Sequence, residues 1–144
     1  MSDENTLEKY NKLNTILFYA LFGGQIVFLA ITSYLLQSGP KNPNLASSFQ
    51  SVLPALTIAS VLGAFFLPKI LLGSVADMPE EVKLQKYRVS LLVKWALLEG
   101  SNIFSIVVYL MTGSVLALGI SMLLLILFVL NKPSLDRTKT DLDL

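Results

Sequence analysis

Four long apolar stretches, at 16–36, 49–72, 91–111 and 114–130, constrain this chain more than any other feature. A helix needs about 20 apolar residues to cross a hydrocarbon core of ~30 Å, with about 17 as the lower limit. All four reach that range, the last one narrowly. Strands of a membrane barrel would run to about 10 residues with alternating polarity, and nothing in this sequence alternates. The sequence therefore predicts an all-α membrane protein, a four-helix transmembrane bundle with helices at about 14–37, 49–72, 79–111 and 114–131. Composition agrees: 53% of the residues are hydrophobic and 15% charged, against about 45–50% and 25% in a soluble domain.

The connections set the order of the helices. Residues 38–48 (SGPKNPNLASS) have loop composition, with Gly, Pro, Asn and Ser each favouring turns. After Gly73 a second break closes on Asp77-Met78-Pro79-Glu80-Glu81. Asp77 is placed to cap a new helix, Pro79 suits its first turn, and the carboxylates favour its positive end. That helix, 79–111, would be about 50 Å long at ~1.5 Å per residue, so its first turns project beyond the bilayer as a charged stalk. Thr112-Gly113-Ser114 is short enough to make the third and fourth helices antiparallel neighbours. The expected architecture is two antiparallel hairpins. Pro54 and Pro68 read as start and stop features of the second helix.

Basic residues orient the bundle. Lys9, Lys12, Lys69, Lys83, Lys86, Arg88, Lys94, Lys132, Arg137 and Lys139 fall on one side, and Lys41 alone on the other. The positive-inside rule puts both termini and the central connection in the cytoplasm, which gives an inner-membrane, N-in/C-in protein. Residues 1–13 form an amphipathic cytoplasmic arm, with Leu7, Tyr10, Leu13 and Leu17 at helical spacing. Their three acids against two bases, and the long apolar run behind them, fit an uncleaved signal-anchor better than a cleaved signal. The tail, 132–144, reads as a short surface helix opened by Pro133. Trp95, Tyr34 and Tyr109 read as interface anchors.

Residues 19–24 (YALFGG) overlie 95–100 (WALLEG) at a shift of 76, the pattern a duplicated hairpin leaves. The shift superposes two small-xxx-small pairs, Ala20/Gly24 and Ala96/Gly100, whose spacing lets helix backbones approach closely in lipid. Glu99 is the most informative single position. An ionisable group at the centre of a transmembrane helix costs roughly 2.5–3.5 kcal/mol on insertion scales. Arg88, Trp95, Glu99, Asn102 and Ile106 share one stripe of the third helix, so the expectation is an inward-facing Gln25–Glu99–Asn102 hydrogen-bond cluster. Placed shallowly, Glu99 would instead staple the rim through Lys69, Lys94 or Lys132.

Two resemblances follow. The overall layout, with Lys94-Trp95-Ala96-Leu97-Leu98-Glu99-Gly100, the Tyr109-Leu110-Met111-Thr112-Gly113 turn and the Asn131-Lys132-Pro133 exit, resembles small four-span bacterial membrane proteins and implies no activity. Residues 96–107 (ALLEGSNIFSIV) are similar to the ion-binding helix of rotary ATPase proteolipid subunits. That resemblance implies a proton- or sodium-carrying carboxylate at Glu99. The chain departs from that family in lacking a glycine-repeat helix, since Gly63 and Gly119 stand alone in theirs.

With no His and no Cys, imidazole acid–base chemistry, thiol nucleophiles and zinc-finger sites are excluded. A net charge of +1 gives no excess for nucleic acid. No enzymatic chemistry, metal or cofactor is expected. The expected partners are the lipid bilayer and either further copies of the chain or another subunit of a membrane complex. The leading expectation is an accessory or interaction subunit; the alternative is an oligomeric proton- or ion-coupled carrier, or rotor-like subunit, using Glu99.

Overall fold

In the computed structural model, which describes residues 4–144, α1 (Glu4–Leu35), α2 (Ala46–Leu72), α3 (Glu80–Thr112), α4 (Val115–Leu130) and α5 (Leu135–Leu142) follow in order. Short 3₁₀ turns, Leu36–Ser38 and Pro43–Leu45, lie between α1 and α2. No strand occurs among the described residues. With their flanking turns, α1, α2 and α3 are each long and apolar enough to cross a membrane. The 16 residues of α4 span only about 24 Å. They pass the same test only when joined to α5, from which α4 is bent by 74°. The outside is greasy: Ile16, Val27, Ile58, Phe66, Ile70, Ile126 and Leu130 are all exposed. Soluble monomers rarely show contiguous apolar patches beyond a few hundred Å², and this mantle is what lipid requires.

The helix ends follow the turn chemistry, with two adjustments. Gly113 closes α3 in the left-handed region at φ 66°, its N–H donating to the Tyr109 carbonyl. A side chain there would be strained by the backbone angle, although its Cβ would meet Pro40 at an ordinary 3.5 Å. The first loop docks on the same helix end, the Asn42 N–H donating to the Met111 carbonyl at 2.6 Å. A carbonyl that a helix end leaves open is thereby satisfied. Pro79, not Asp77, occupies the N-cap position of α3, and Glu80 and Glu81 fill its first turn. Pro54 is not a start feature. The Pro43–Leu45 turn begins α2 at Ala46, so both Pro54 and Pro68 lie inside the helix.

The packing is centred on α3. α2 runs antiparallel to it, Phe49 meeting Phe104 near one end while Gly63 faces Leu97 and Phe65 lies under the Lys94 ammonium towards the other. α4 is antiparallel too, and α1 is parallel, with Phe18 against Trp95. α1 and α2 scarcely touch, because α3 lies between them. The two-hairpin picture thus holds for α3–α4, whereas α1 packs on α3 and α4 and not on its sequence neighbour.

Trp95 is a core residue, not an interface anchor. It has no exposed surface, sits edge-on to Phe18 beside Phe128, and donates its indole N–H to the Asn131 carbonyl at 3.3 Å. Inward placement follows from azimuth: Trp95 shares a face with Leu98 and Asn102, both fully buried.

Beyond the aromatic core the start of α3 is not a bare stalk. The first turns of α1 and α3 and the whole of α5 bury Leu7, Tyr10, Leu84, Tyr87 and Leu142 in a second cluster. The Tyr10 hydroxyl donates to the Leu84 carbonyl at 2.9 Å, and Arg88 stacks on the Tyr10 ring while donating to Asn14. The arm expected at 1–13 is therefore continuous with α1 from Glu4; residues 1–3 lie outside the described residues. The short helix expected in the tail is α5, but Ser134 and not Pro133 stands at its N-cap, accepting from the Arg137 N–H.

Candidate functional site

Polar side chains in an apolar bundle are costly unless they find one another. Gln25 on α1 and Asn102 on α3 do so: the Asn102 amide donates to Gln25 Oε1 at 2.7 Å. The third member comes from α4. The Ser121 hydroxyl donates to Asn102 Oδ1 at 2.6 Å, while the Gln25 amide donates back to the Leu21 carbonyl. Asn102 and Ser121 have no exposed surface and Gln25 has 1%. A turn further along, the Ser105 hydroxyl donates to the Ala117 carbonyl at 2.7 Å. The seam is neutral throughout, ties three helices together and contains no charged group.

Glu99 is not part of it. Its carboxylate joins neither hydrogen bond of the trio and its side chain is only partly buried. The reason is azimuthal. Three residues along a helix amount to a rotation of about 60° once whole turns are removed. Asn102 therefore points into the seam with α1 and α4, while Glu99 stands at the edge of α3. The rim staple is likewise not formed by Lys94 or Lys132, whose ammonium groups sit over the rings of Phe65 and Tyr19.

Ser121 was the member missed, although a signal existed. It is the only polar side chain within Val115–Leu130, and a lone hydroxyl in such a run points to a helix–helix contact.

The small residues, expected to allow close helix approach, do not do so between the helices of this bundle. Ala20, Gly24, Ala96 and Gly100 are all exposed. A side chain built on Gly24 or Gly100 meets nothing within 4 Å. None of the four brings α1 and α3 together; aromatic and polar contacts do that. On α3 the exposed positions Val89, Leu92, Ala96, Gly100 and Ile103 repeat at helical spacing, with Glu99 at their margin. The outer face of α3 is thus a shallow apolar stripe with small residues at its centre and one carboxyl beside them.

No protein family, curated protein or solved structure matches this chain. Among the described residues no group of three or more Asp or Glu side chains is arranged to hold a metal ion.

Proposed function

We propose that this chain is a four-span inner-membrane protein, with both termini and the start of α3 in the cytoplasm, that works as an accessory or interaction subunit without enzymatic chemistry. One observation carries the reading: the interior holds a neutral, hydrogen-bonded seam, whereas the stripe of Ala96 and Gly100 with Glu99 beside it faces outward. Small-xxx-small spacing suits close helix approach, and here it is offered to a neighbour outside the bundle. α4 counts as the fourth span with Ser114 and Asn131 at its ends, and α5 as a polar surface helix. The ten-to-one division of basic residues supports the orientation.

A second reading is favoured by Glu99 itself. A carboxyl on an outer face, outside the seam's hydrogen bonds, is the group a proton- or ion-coupled carrier or rotor-like subunit would use. Carbodiimide labelling separates the two. Labelling of Glu99 that rises as pH falls and is blocked by sodium supports the carrier. Glu99 inert at every pH, with Glu99→Gln assembling normally, supports the interaction subunit.

A further inference from the structure

Four basic residues from four separate parts of the chain line one cavity of about 310 Å³, the Lys132 ammonium resting over the Tyr19 ring at 5.1 Å. Lys69 comes from the last turn of α2, Lys94 from α3, Lys132 from just beyond α4, and Arg137 from the first turn of α5. The volume falls at the lower end of the roughly 300–1,000 Å³ typical of small-ligand sites. Phe65 and Leu91 form part of its apolar wall, and Asp141 is the one carboxylate on its lining.

That carboxylate accepts from the Tyr87 hydroxyl at 2.7 Å and keeps its charge, so the lining carries four cations against one anion. The cations retain donors. Arg137 spends one N–H on the Leu130 carbonyl at 3.1 Å, out of the five a guanidinium carries. The Lys94 ammonium rests over the Phe65 ring at 4.8 Å, where Arg137 and Lys69 repel it and Asp141 attracts it.

Part of this convergence has a local cause. Lys69 and Lys132 lie at the C-terminal ends of α2 and α4, where the negative end of the helix dipole favours a cation. Lys94 and Arg137 have no such reason. Lys94 is in the interior of a long helix, and Arg137 sits at the positive end of α5. A preference for basic residues on one side of a membrane does not require them to crowd round one hollow. Like charges at short range repel, and an anion among them turns that cost into attraction. Phe65, Phe66 and Ile70, exposed on α2 beside the cavity, carry the apolar mantle up to this level. The anion that fits such a boundary is a phosphate, and one carrying acyl chains finds an apolar surface next to it.

We propose that the cavity bounded by Lys69, Lys94, Lys132 and Arg137 binds the headgroup phosphate of an anionic phospholipid, whose acyl chains lie along the outer face of α2. The inference rests on the membrane-embedded reading given above. Basic hollows between membrane helices recognise phosphate headgroups in this way.

The test uses the full chain in micelles containing phosphatidylglycerol or phosphatidylcholine, with retained lipid read by native mass spectrometry. Phosphatidylglycerol should be retained at least about fivefold over phosphatidylcholine, and inorganic phosphate should not displace it. Lys94→Gln and Arg137→Gln should each weaken retention about fivefold, the effect of removing one cation near an anionic lipid. Lys86→Gln, on the start of α3 away from the cavity, should leave it unchanged. Should Lys94→Gln fail to fold, Arg137→Gln decides, because that side chain is exposed. Equal retention of the two lipids, or undiminished retention in Arg137→Gln, overturns the proposal. Displacement by inorganic phosphate overturns the lipid in favour of a soluble anion. Alkaline carbonate extraction of native membranes is run alongside. A chain that stays in the pellet but does not select phosphatidylglycerol sinks the lipid site alone, whereas a chain released to the supernatant sinks the membrane reading and the site with it.

Discussion

Asn102 engages both ends of its amide, one to α1 and one to α4, without any exposed surface. Asn102→Ala strands the Gln25 carbonyl and the Ser121 hydroxyl together. Hydrogen bonds between membrane helices contribute about 0.6–2 kcal/mol each, so the variant should lose about 1–3 kcal/mol in a denaturing-micelle titration. Glu99→Gln, which breaks no contact of the seam, should stay within about 0.5 kcal/mol of the parent. If the two variants lose the same amount, Glu99 belongs to the interior after all. Gln25 and Asn102 were legible in the sequence because a polar side chain in an apolar run must find a partner. Glu99 was misplaced because sequence position gives depth along a helix but not which neighbour stands at that azimuth. Ala96 and Gly100 were readable as a contact surface, yet nothing in their spacing says whether the contact lies inside or outside the bundle.

At the scale of elements, α5 is fixed to the start of α3 by Leu142 and by the Tyr87–Asp141 hydrogen bond. Leu142→Ala removes a fully buried side chain. A core truncation of this kind costs about 2–5 kcal/mol, enough to release so short a helix. Hydrogen exchange should then speed up in α5 and the first turns of α1 while the apolar lengths of α1 to α4 stay protected. Burial, and then the Asp141 carboxylate, push the Tyr87 phenol above its ordinary range, and burial raises Tyr10 in the same direction. A phenol whose folded pKa is raised contributes stability that is fully present below the unfolded value of about 10. That stability is lost as pH rises through the folded value. Docking of α5 should therefore weaken only in strong alkali, and Tyr87→Phe should flatten that response in the same exchange measurement. The helices and their breaks were readable because apolar length and Gly and Pro punctuation act locally. The second cluster was not, because Leu7, Leu84 and Leu142 come from three distant segments, and no local signal pairs them. Trp95 shows the same limit, since an aromatic beside a lysine looks alike at a membrane surface and in a core.

For the molecule as a whole, the polar seam lies inside and the small-residue stripe of α3 outside. α3 fills the middle, its inner faces occupied by three helices, while α1 and α2 leave its outer stripe uncovered. A bundle that sealed its small residues within would have little left to offer another protein. This one buries Ala64 and Ala117 but exposes Ala20, Gly24, Ala96 and Gly100. Gly100→Leu is therefore a clean probe: the added side chain meets nothing within 4 Å, and replacing Gly in a helix favours the helix by about 0.5–1 kcal/mol, so the isolated fold should be kept or strengthened. The decisive measurement is the mass of the chain purified from its own membrane in mild detergent, parent against Gly100→Leu. The parent particle should be heavier than the 15.8 kDa chain and should fall to the single chain in the variant. A parent that is already a lone chain, or a larger particle that Gly100→Leu leaves intact, contradicts the interaction reading.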